Sequence, residues 1–173
     1  NHCFATFNNE PECRRGQSDH GYHIGEKQKL HKQALWQQTC RVPFMLHVPG
    51  MKTAGRNCAA PISLLDIFPT LNELCRLEQP VSQQLDGHSL VPLLNDANAV
   101  WPHVALTSHQ PQNAAVSDSR YRYIRYSNGS EELYDHRTDP REYTNLIEDA
   151  ESRAIAERLK KHLPQQWAPK SRR

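Results

Sequence analysis

The sequence predicts an α/β fold followed by a small antiparallel sheet that packs with a helix. A continuous apolar run over 41–50, bounded by prolines and Gly50, predicts a strand that is buried on both faces. An amphipathic helix is predicted next, over 61–77. A strand, a loop and a helix in this order are typical of α/β folds. From Trp101 the pattern changes to short strand-like runs, which predict the separate sheet.

The predicted elements of the α/β part differ in the strength of their signal. Residues 26–38 have weak helical periodicity and predict a short helix. His47, inside the predicted strand, is interpreted as a hydrogen-bonded core histidine rather than a ligand. The helix over 61–77 contains Pro69, near which its regular part should begin, and 86–94 predicts a turn that leads into one helical turn. The apolar face of the long helix comprises Leu64, Ile67, Phe68, Leu71, Leu74 and Cys75.

The C-terminal part is predicted as strands and one closing helix. Asn128 and Gly129 lie between two strand-like runs and predict a tight hairpin; with Ser130 they also form a glycosylation sequon, which is the less favoured interpretation. The helix over 149–163 is amphipathic, and a Glu157–Lys161 pair is expected on it. The predicted strands are 104–107, 114–116, 121–126 and 131–134.

Length and composition limit the possible classes of protein. The chain has 173 residues, which is enough for one domain with a core, and its net charge is +2. Its mean hydropathy of −0.80 is polar for an independent domain. No basic stripe interleaved with aromatics indicates nucleic-acid binding, and no apolar run is long enough to span a membrane. Residues 1–17 are interpreted as an atypical or disordered leader, and 165–173 as a basic tail; the start at Asn1 suggests a longer product.

The five cysteines do not indicate a closed disulfide framework. Their number is odd, and no Cys-x-x-Cys pair occurs. Free thiols are expected to be buried, because Cys75 falls on the apolar face of a predicted helix; a Cys58–Cys75 bridge stays a possible alternative. The cysteines are Cys3, Cys13, Cys40, Cys58 and Cys75.

Metal-type ligands, cations and glycines concentrate between Ser18 and Lys32. Asp19 and His20 are adjacent, and Gly21 is expected to take a positive φ and make a sharp turn after them. A carboxylate and an imidazole presented together suit a metal or a transferring anion. If the chain turns back, Lys32 can reach the same anion. Taken alone, Asp-His-Gly is a common loop tripeptide, and a surface Asp beside a Gly more often just makes a turn.

Many short motifs in a fixed order resemble the C-terminal half of the type I sulfatases. The resemblance is to the iduronate-2-sulfatase-like and choline-sulfatase-like branch of that family. It covers about residues 18–163, and it depends on the order of the motifs rather than on any one of them. The motifs occupy 18–21, 25–26, 31–32, 41–43, 49–50, 63–71, 86–90, 132–135, 139–142 and 145–146.

The resemblance implies a fold and a set of site residues. Residues 18–100 would be part of a truncated alkaline-phosphatase-like core, and 101–164 the C-terminal subdomain. Asp19 and His20 match metal ligands, usually for Ca²⁺ or another divalent cation, and Lys32 matches the lysine that contacts the sulfate. Such groups neutralise a sulfate ester while a nucleophile attacks sulfur. An imidazole is an unusual Ca²⁺ ligand, so the role of His20 depends on the resemblance.

The resemblance is incomplete, because the family nucleophile is missing from this chain. That nucleophile is a formylglycine made from Cys or Ser in a Cys/Ser-x-Pro-x-Arg motif, and none of the cysteines begins such a motif. The paired early aspartates of the metal site are absent too. His31 either orients the leaving group or packs, and the residues leave that open.

The implied function is hydrolysis of a sulfate ester by a sulfatase of which this chain is the C-terminal portion. The substrate would be a sulfated carbohydrate or small alcohol, the formylglycine would lie upstream, and this chain alone would be inactive. A periplasmic, secreted or lysosomal location is expected by resemblance. Two alternatives are a phosphatase or phosphonate hydrolase of the same superfamily, and a non-catalytic remnant or binding module.

Overall fold

The computed structural model describes residues 2–4, 14–77 and 85–167, which fall into two compact units. The first unit combines Asn1–Ser18 with Val42–His103, and the second combines Asp19–Arg41 with Val104–Arg173. Asp19, His20 and Lys32 therefore belong to the second, C-terminal unit. The predicted domain limits at residues 17, 100 and 164 stay predictions for the whole protein.

The first unit contains a mixed sheet of four strands, β1 (His2–Phe4), β2 (Arg14–Gln17), β3 (Pro43–His47) and β4 (Asn57–Cys58), in the order β2-β3-β1-β4. Strand β3 confirms the strand predicted over 41–50. It lies between β1, to which it is parallel, and β2, to which it is antiparallel. The interpretation of 1–17 as loop or disorder is wrong for β1 and β2, because pairing with a central strand supplies backbone partners that the local pattern did not show. Residues 5–13 lie outside the described residues.

The helices of the first unit follow the predicted pattern. A 3-10 turn over Leu64–Asp66 leads into helix α2, Ile67–Cys75, and helix α3 spans Val91–Asn95. Helix α2 begins before Pro69, which falls in the first turn, where its missing N–H costs no hydrogen bond. These elements enclose one core, made of Phe44, Leu46, Cys58, Ile62, Leu90, Leu93 and Leu94.

Only part of the apolar face of α2 is buried. Ile67 and Leu74 pack against the core, whereas Phe68 is 54% exposed. Cys75 is exposed as well, so the prediction that it is buried is wrong. Cys40, Cys58 and Cys75 are free thiols; Cys58 is buried and Cys40 is partly buried. His47 is buried in β3, as predicted.

A buried carboxylate joins the start of α2 to the turn before α3. Asp66 accepts hydrogen bonds from the backbone N–H of Ser63 at 2.7 Å and of His88 at 2.8 Å. Gly87 lies against the same turn, and a Cβ atom at Gly87 would be 2.1 Å from the carbonyl oxygen of Leu65. Asp66 therefore has two roles. It completes a capping box with Ser63 at the start of the 3-10 turn, and it holds the turn before α3 through His88.

The second unit contains a four-stranded antiparallel sheet and one closing helix, as predicted. The strands pair in sequence order, and the hairpin between the last two closes through the Tyr126 and Ser130 backbones. Helix α4, Arg153–Lys160, packs Ala156 and Leu159 on this sheet. The strands are β5 Ala105–Ser108, β6 Ala114–Ser117, β7 Tyr121–Arg125 and β8 Glu131–Asp135.

Two local predictions in the second unit are wrong. Residues 26–38 do not form a helix: a 3-10 turn spans Glu26–Gln28, and the four-residue helix α1 spans Gln37–Cys40. The expected Glu157–Lys161 pair is replaced by a contact of 3.5 Å between Glu157 and Lys160, because Lys160 also reaches Glu131 on the sheet at 3.1 Å.

None of the helices in the described part of the chain has the length and the apolar character that a membrane-spanning helix needs.

Replacing Asp66 should destabilise the first unit. The Asp66→Ala variant leaves the Ser63 and His88 amides without their acceptor, and we expect the free energy of unfolding to fall by about 2–4 kcal/mol. Urea unfolding of the chain measures the change. Glu73→Ala removes an exposed carboxylate from the same helix and should change stability by about 0.5 kcal/mol or less. Equal effects of the two substitutions would contradict the role given to Asp66.

Candidate active site

The segment 19–41, called here the site loop, turns back on itself. The N–H of Gly21 donates to the carbonyl of Thr39 at 2.8 Å, and the N–H of His23 donates to the carbonyl of His31 at 3.1 Å. These two bonds bring the beginning and the end of the loop together, so residues twelve positions apart become neighbours.

The structure brings the three predicted site residues, Asp19, His20 and Lys32, together. The Nζ atom of Lys32 is 3.0 Å from Nε2 of His20, and the Oδ2 atom of Asp19 is 3.9 Å from the same nitrogen. His20 Nδ1 is 2.8 Å from the carbonyl oxygen of Gly21. Because a carbonyl only accepts, Nδ1 is assigned the proton, and the lone pair of Nε2 faces the ammonium.

Gly21 is needed for close packing rather than for a positive φ. The described glycines with positive φ are Gly25, Gly50, Gly55 and Gly129, so the prediction of a left-handed Gly21 is wrong. A Cβ atom at Gly21 would lie 2.1 Å from the carbonyl oxygen of Gln38. The missing side chain therefore lets the two arms of the loop approach each other.

The donors of Asp19 and His20 fit part of a divalent-cation site. Atoms 3.9 Å apart can both lie at the usual distance of about 2.3–2.6 Å from one Ca²⁺. The side chains are accessible, with 85% of Asp19 and 39% of His20 exposed. Two donors do not complete a shell of six to eight ligands, and the described residues contain no group of three His, Cys, Asp or Glu that could hold a metal.

Two histidines of the site loop, His23 and His31, pack their rings together inside it. His23 is 1% exposed, and its ring meets the rings of Trp36 and His31 edge to face, with centroids 5.6 and 6.2 Å away. Neither ring nitrogen of His23 has a hydrogen-bond partner among the described residues. Burial lowers the pKa of His23, and the carboxylate of Glu26, 3.9 Å away, only partly opposes this. A role for His31 at the leaving group stays a prediction.

Lys27 anchors the site loop to the sheet. Its Nζ lies 4.6 Å from the ring centroid of Trp36 and 4.4 Å from that of Tyr134, and it donates to the Tyr134 hydroxyl at 2.9 Å. Glu132 accepts from the Trp36 indole at 2.7 Å and from the Tyr134 hydroxyl at 2.9 Å. Desolvation lowers the pKa of Lys27, and nearby carboxylates, first Glu132, oppose this.

A second carboxylate, Glu142, anchors the loop at its other end. It is 1% exposed and accepts from the backbone N–H of Gln37 at 2.7 Å and from the ring of His136 at 2.8 Å. The Nε of Arg122 lies 3.7 Å from Glu142 and donates to the Leu35 carbonyl at 2.8 Å.

Sequence reasoning gave no role to these anchors. The signal was present, because Glu132 and Glu142 fall in two of the motifs that carry the sulfatase resemblance, at 132–135 and 139–142. A motif shows that certain residues recur together, and the contacts show what they hold.

Comparison with known proteins decides the family. The family model for the C-terminal part of N-sulphoglucosamine sulphohydrolase matches residues 25–168. The chain belongs to the type I sulfatases. It corresponds to the C-terminal portion of these enzymes, and the prediction made from the motifs is confirmed.

Individual relatives agree with this assignment. A sulfatase of Formosa agariphila is 35% identical over 85% of this chain, and a choline-sulfatase of Rhizobium meliloti is 33% identical over 76%. The phosphonate monoester hydrolase of Agrobacterium radiobacter superposes with a TM-score of 0.71 at 27% identity over 84% of the chain. The chain spans only 28%, 26% and 32% of these three proteins. An alkaline-phosphatase-like fold is thereby confirmed for this portion.

Adding a methyl group at Gly21 should open the site loop. In Gly21→Ala the new Cβ meets the Gln38 carbonyl, and we expect a loss of about 2–3 kcal/mol in unfolding free energy. Faster amide hydrogen exchange at His23 would report loss of the contact between the arms. The control, Gly129→Ala, has open space around the Cβ but a φ of +86°, and should cost about 1–2 kcal/mol without changing exchange at His23. Unchanged exchange in Gly21→Ala would refute this account.

The buried His23 should make the second unit less stable in acid. Its pKa in the folded chain is below the unfolded value near 6.5, so the unfolded state binds more protons as the pH falls. The stabilisation is complete above about pH 6.5 and decreases as the pH falls toward the folded pKa.

In His23→Phe, which keeps an aromatic ring beside Trp36, the fall in melting temperature from about pH 7.5 to pH 5.5 should become shallower. His162→Phe, at an exposed histidine, should keep the slope of the original chain. Identical slopes for the original chain and His23→Phe would show that His23 does not titrate with folding.

Proposed function

We propose that the protein containing this chain hydrolyses a sulfate ester of a carbohydrate or a small alcohol. The observation that supports it best is the contact of the Lys32 ammonium with His20, which lies beside Asp19, in a member of the sulfatase family. The matched family model is named for an amino sugar sulfated on nitrogen, which supports a carbohydrate rather than an ester as such, and one relative is named a choline-sulfatase. These names motivate the two substrate classes.

In this proposal Asp19 and His20 contribute ligands to a divalent cation, Ca²⁺ or another. The Asp19 carboxylate suits a hard cation, and His20 offers the lone pair of Nε2 because Nδ1 is committed to the Gly21 carbonyl. When bound, the cation would neutralise negative charge on the sulfate oxygens.

Lys32 is the proposed sulfate-binding residue. Its ammonium now contacts the same Nε2 lone pair that a cation would take. Occupation of that lone pair would leave Lys32 free to donate hydrogen bonds to the sulfate and the ester oxygen, where such contacts stabilise developing charge.

The nucleophile of the proposed reaction is a formylglycine outside these 173 residues. The chain contains no Cys/Ser-x-Pro-x-Arg motif, so by itself it should be inactive. A periplasmic, secreted or lysosomal location is part of the same proposal.

A phosphonate or phosphate ester hydrolase is the second candidate. The similarity to the Agrobacterium radiobacter phosphonate monoester hydrolase favours it specifically. A cation and a lysine suit any tetrahedral oxyanion, so these residues do not by themselves select sulfur over phosphorus. A third candidate, a non-catalytic remnant, would retain the fold without turnover.

The decisive test uses the full-length protein with Ca²⁺ and three aryl esters: a sulfate, a phosphate and a phosphonate. We expect fastest turnover of the sulfate and loss of activity on chelation. Lys32→Ala should lower kcat by about 100-fold or more, because one oxyanion contact is worth about 2.7–4 kcal/mol. Lys29→Ala, at an exposed lysine of the same loop, should retain activity.

Each rival candidate predicts a different result. Preference for the phosphonate or phosphate ester would replace the sulfatase proposal, and no turnover of any ester would support a remnant. Near-normal turnover of Lys32→Ala would remove Lys32 from the site while leaving the family assignment intact.

A further inference from the structure

A second candidate site lies in the C-terminal unit and uses no residue of the site loop. It is a groove of about 560 Å³ between the β7–β8 hairpin, the start of β6 and the segment that follows α4. The volume is within the usual range of small-molecule sites, about 300–1,000 Å³. Its lining includes Arg125, Tyr126, Lys160, Lys161 and Trp167.

The groove is positively charged. Three cations line it, and no carboxylate belongs to its described lining. Lys160 is paired with Glu131 at 3.1 Å, whereas Arg125 and Lys161 form no ion pair with a described carboxylate and are exposed. Glu131 stands opposite Arg125 in the strand register, but the ion pair it forms is with Lys160. Two cations are therefore available to an anion.

Besides the cations, the groove is lined by aromatic and neutral polar residues, a combination that suits a sugar ring with its hydroxyl groups. Trp167 supplies an aromatic ring, and the neutral polar residues Gln112, Ser127 and Gln165 add hydrogen-bonding groups. A simple anion such as phosphate needs cations and donors but no aromatic surface. A sugar has apolar C–H faces that pack on aromatic rings and hydroxyls that pair with amides.

We propose that this groove binds an acidic saccharide, a sugar chain that carries sulfate or carboxylate groups. Arg125 and Lys161 hold the anionic groups, and Arg125 pairs with planar or tetrahedral oxyanions through two N–H groups. The ring of Trp167 packs against the sugar. This binding does not depend on Asp19, His20 or Lys32, so it can hold or fail independently of the proposed catalysis.

Single-stranded nucleic acid also combines phosphates with stacking bases. The structure favours the saccharide, because the positive charge is confined to one short groove and the whole chain has a net charge of only +2. Nucleic-acid binders present an extended basic surface along the strand.

The test is a titration of the purified chain with four probes of similar length. The probes are a chondroitin sulfate tetrasaccharide, a hyaluronan tetrasaccharide, neutral chitotetraose and a single-stranded oligothymidylate. Calorimetry gives the affinity, and tryptophan fluorescence reports Trp167. We expect saturable binding of one or both acidic saccharides, with a change in emission that is lost in Trp167→Phe. The sulfated and carboxylate probes distinguish the two anionic groups.

Paired double variants decide where the saccharide binds. Arg125→Ala/Lys161→Ala should weaken binding by about tenfold or more, since two charge-assisted contacts are removed. Arg137→Ala/Arg153→Ala removes the same charge from exposed positions outside the groove and should leave the affinity unchanged. All four positions are exposed, so both variants should fold, as circular dichroism will verify.

Three outcomes would overturn the proposal. One is equal weakening in both double variants, which would indicate attraction to the overall charge. Another is binding of the oligothymidylate as tightly as the acidic saccharides, which would make the groove a nucleic-acid site. The third is no binding of either acidic saccharide.

Discussion

Two carboxylates at the sheet, Glu132 and the buried Glu142, hold the site loop in place. A carboxylate removed from water is costly unless its oxygens are satisfied, and both groups accept two hydrogen bonds that the loop or its neighbours donate. The loop has little regular structure of its own. Its conformation is therefore imposed by the sheet, and the meeting of His20 with Lys32 depends on contacts formed far from either residue.

Much of the fold follows from local patterns in the sequence. The strand at Pro43–His47, the hairpin at Asn128 and Gly129, and helix α4 each have a clear period or turn signal, and each is found. The failures occur where distant contacts override the local pattern. Residues 26–38 have weak helical periodicity, but Lys27 and Trp36 are held by side chains more than ninety positions away.

The candidate site was predictable in a different way. The residue types at Asp19, His20 and Lys32 suggested an anion or metal site, but only the order of the family motifs distinguished it from a surface turn. The reason for Gly21 was not predictable, because its close approach to Gln38 exists only in the folded chain. The groove at Trp167 left no sequence signal, since its lining comes from separate elements with no common spacing.

The two compact units are interleaved along the chain, and this affects how the protein is made. The first part of the second unit, Asp19–Arg41, is synthesised before the whole segment Val42–His103. Gln37 and its acceptor Glu142 are 105 positions apart, so at about 5–20 residues per second the loop waits roughly 5–20 s for its partner to leave the ribosome. During that interval His23 and Trp36 have no sheet to cover them. The nascent chain thus carries this aromatic segment uncovered until the residues of the sheet have been synthesised.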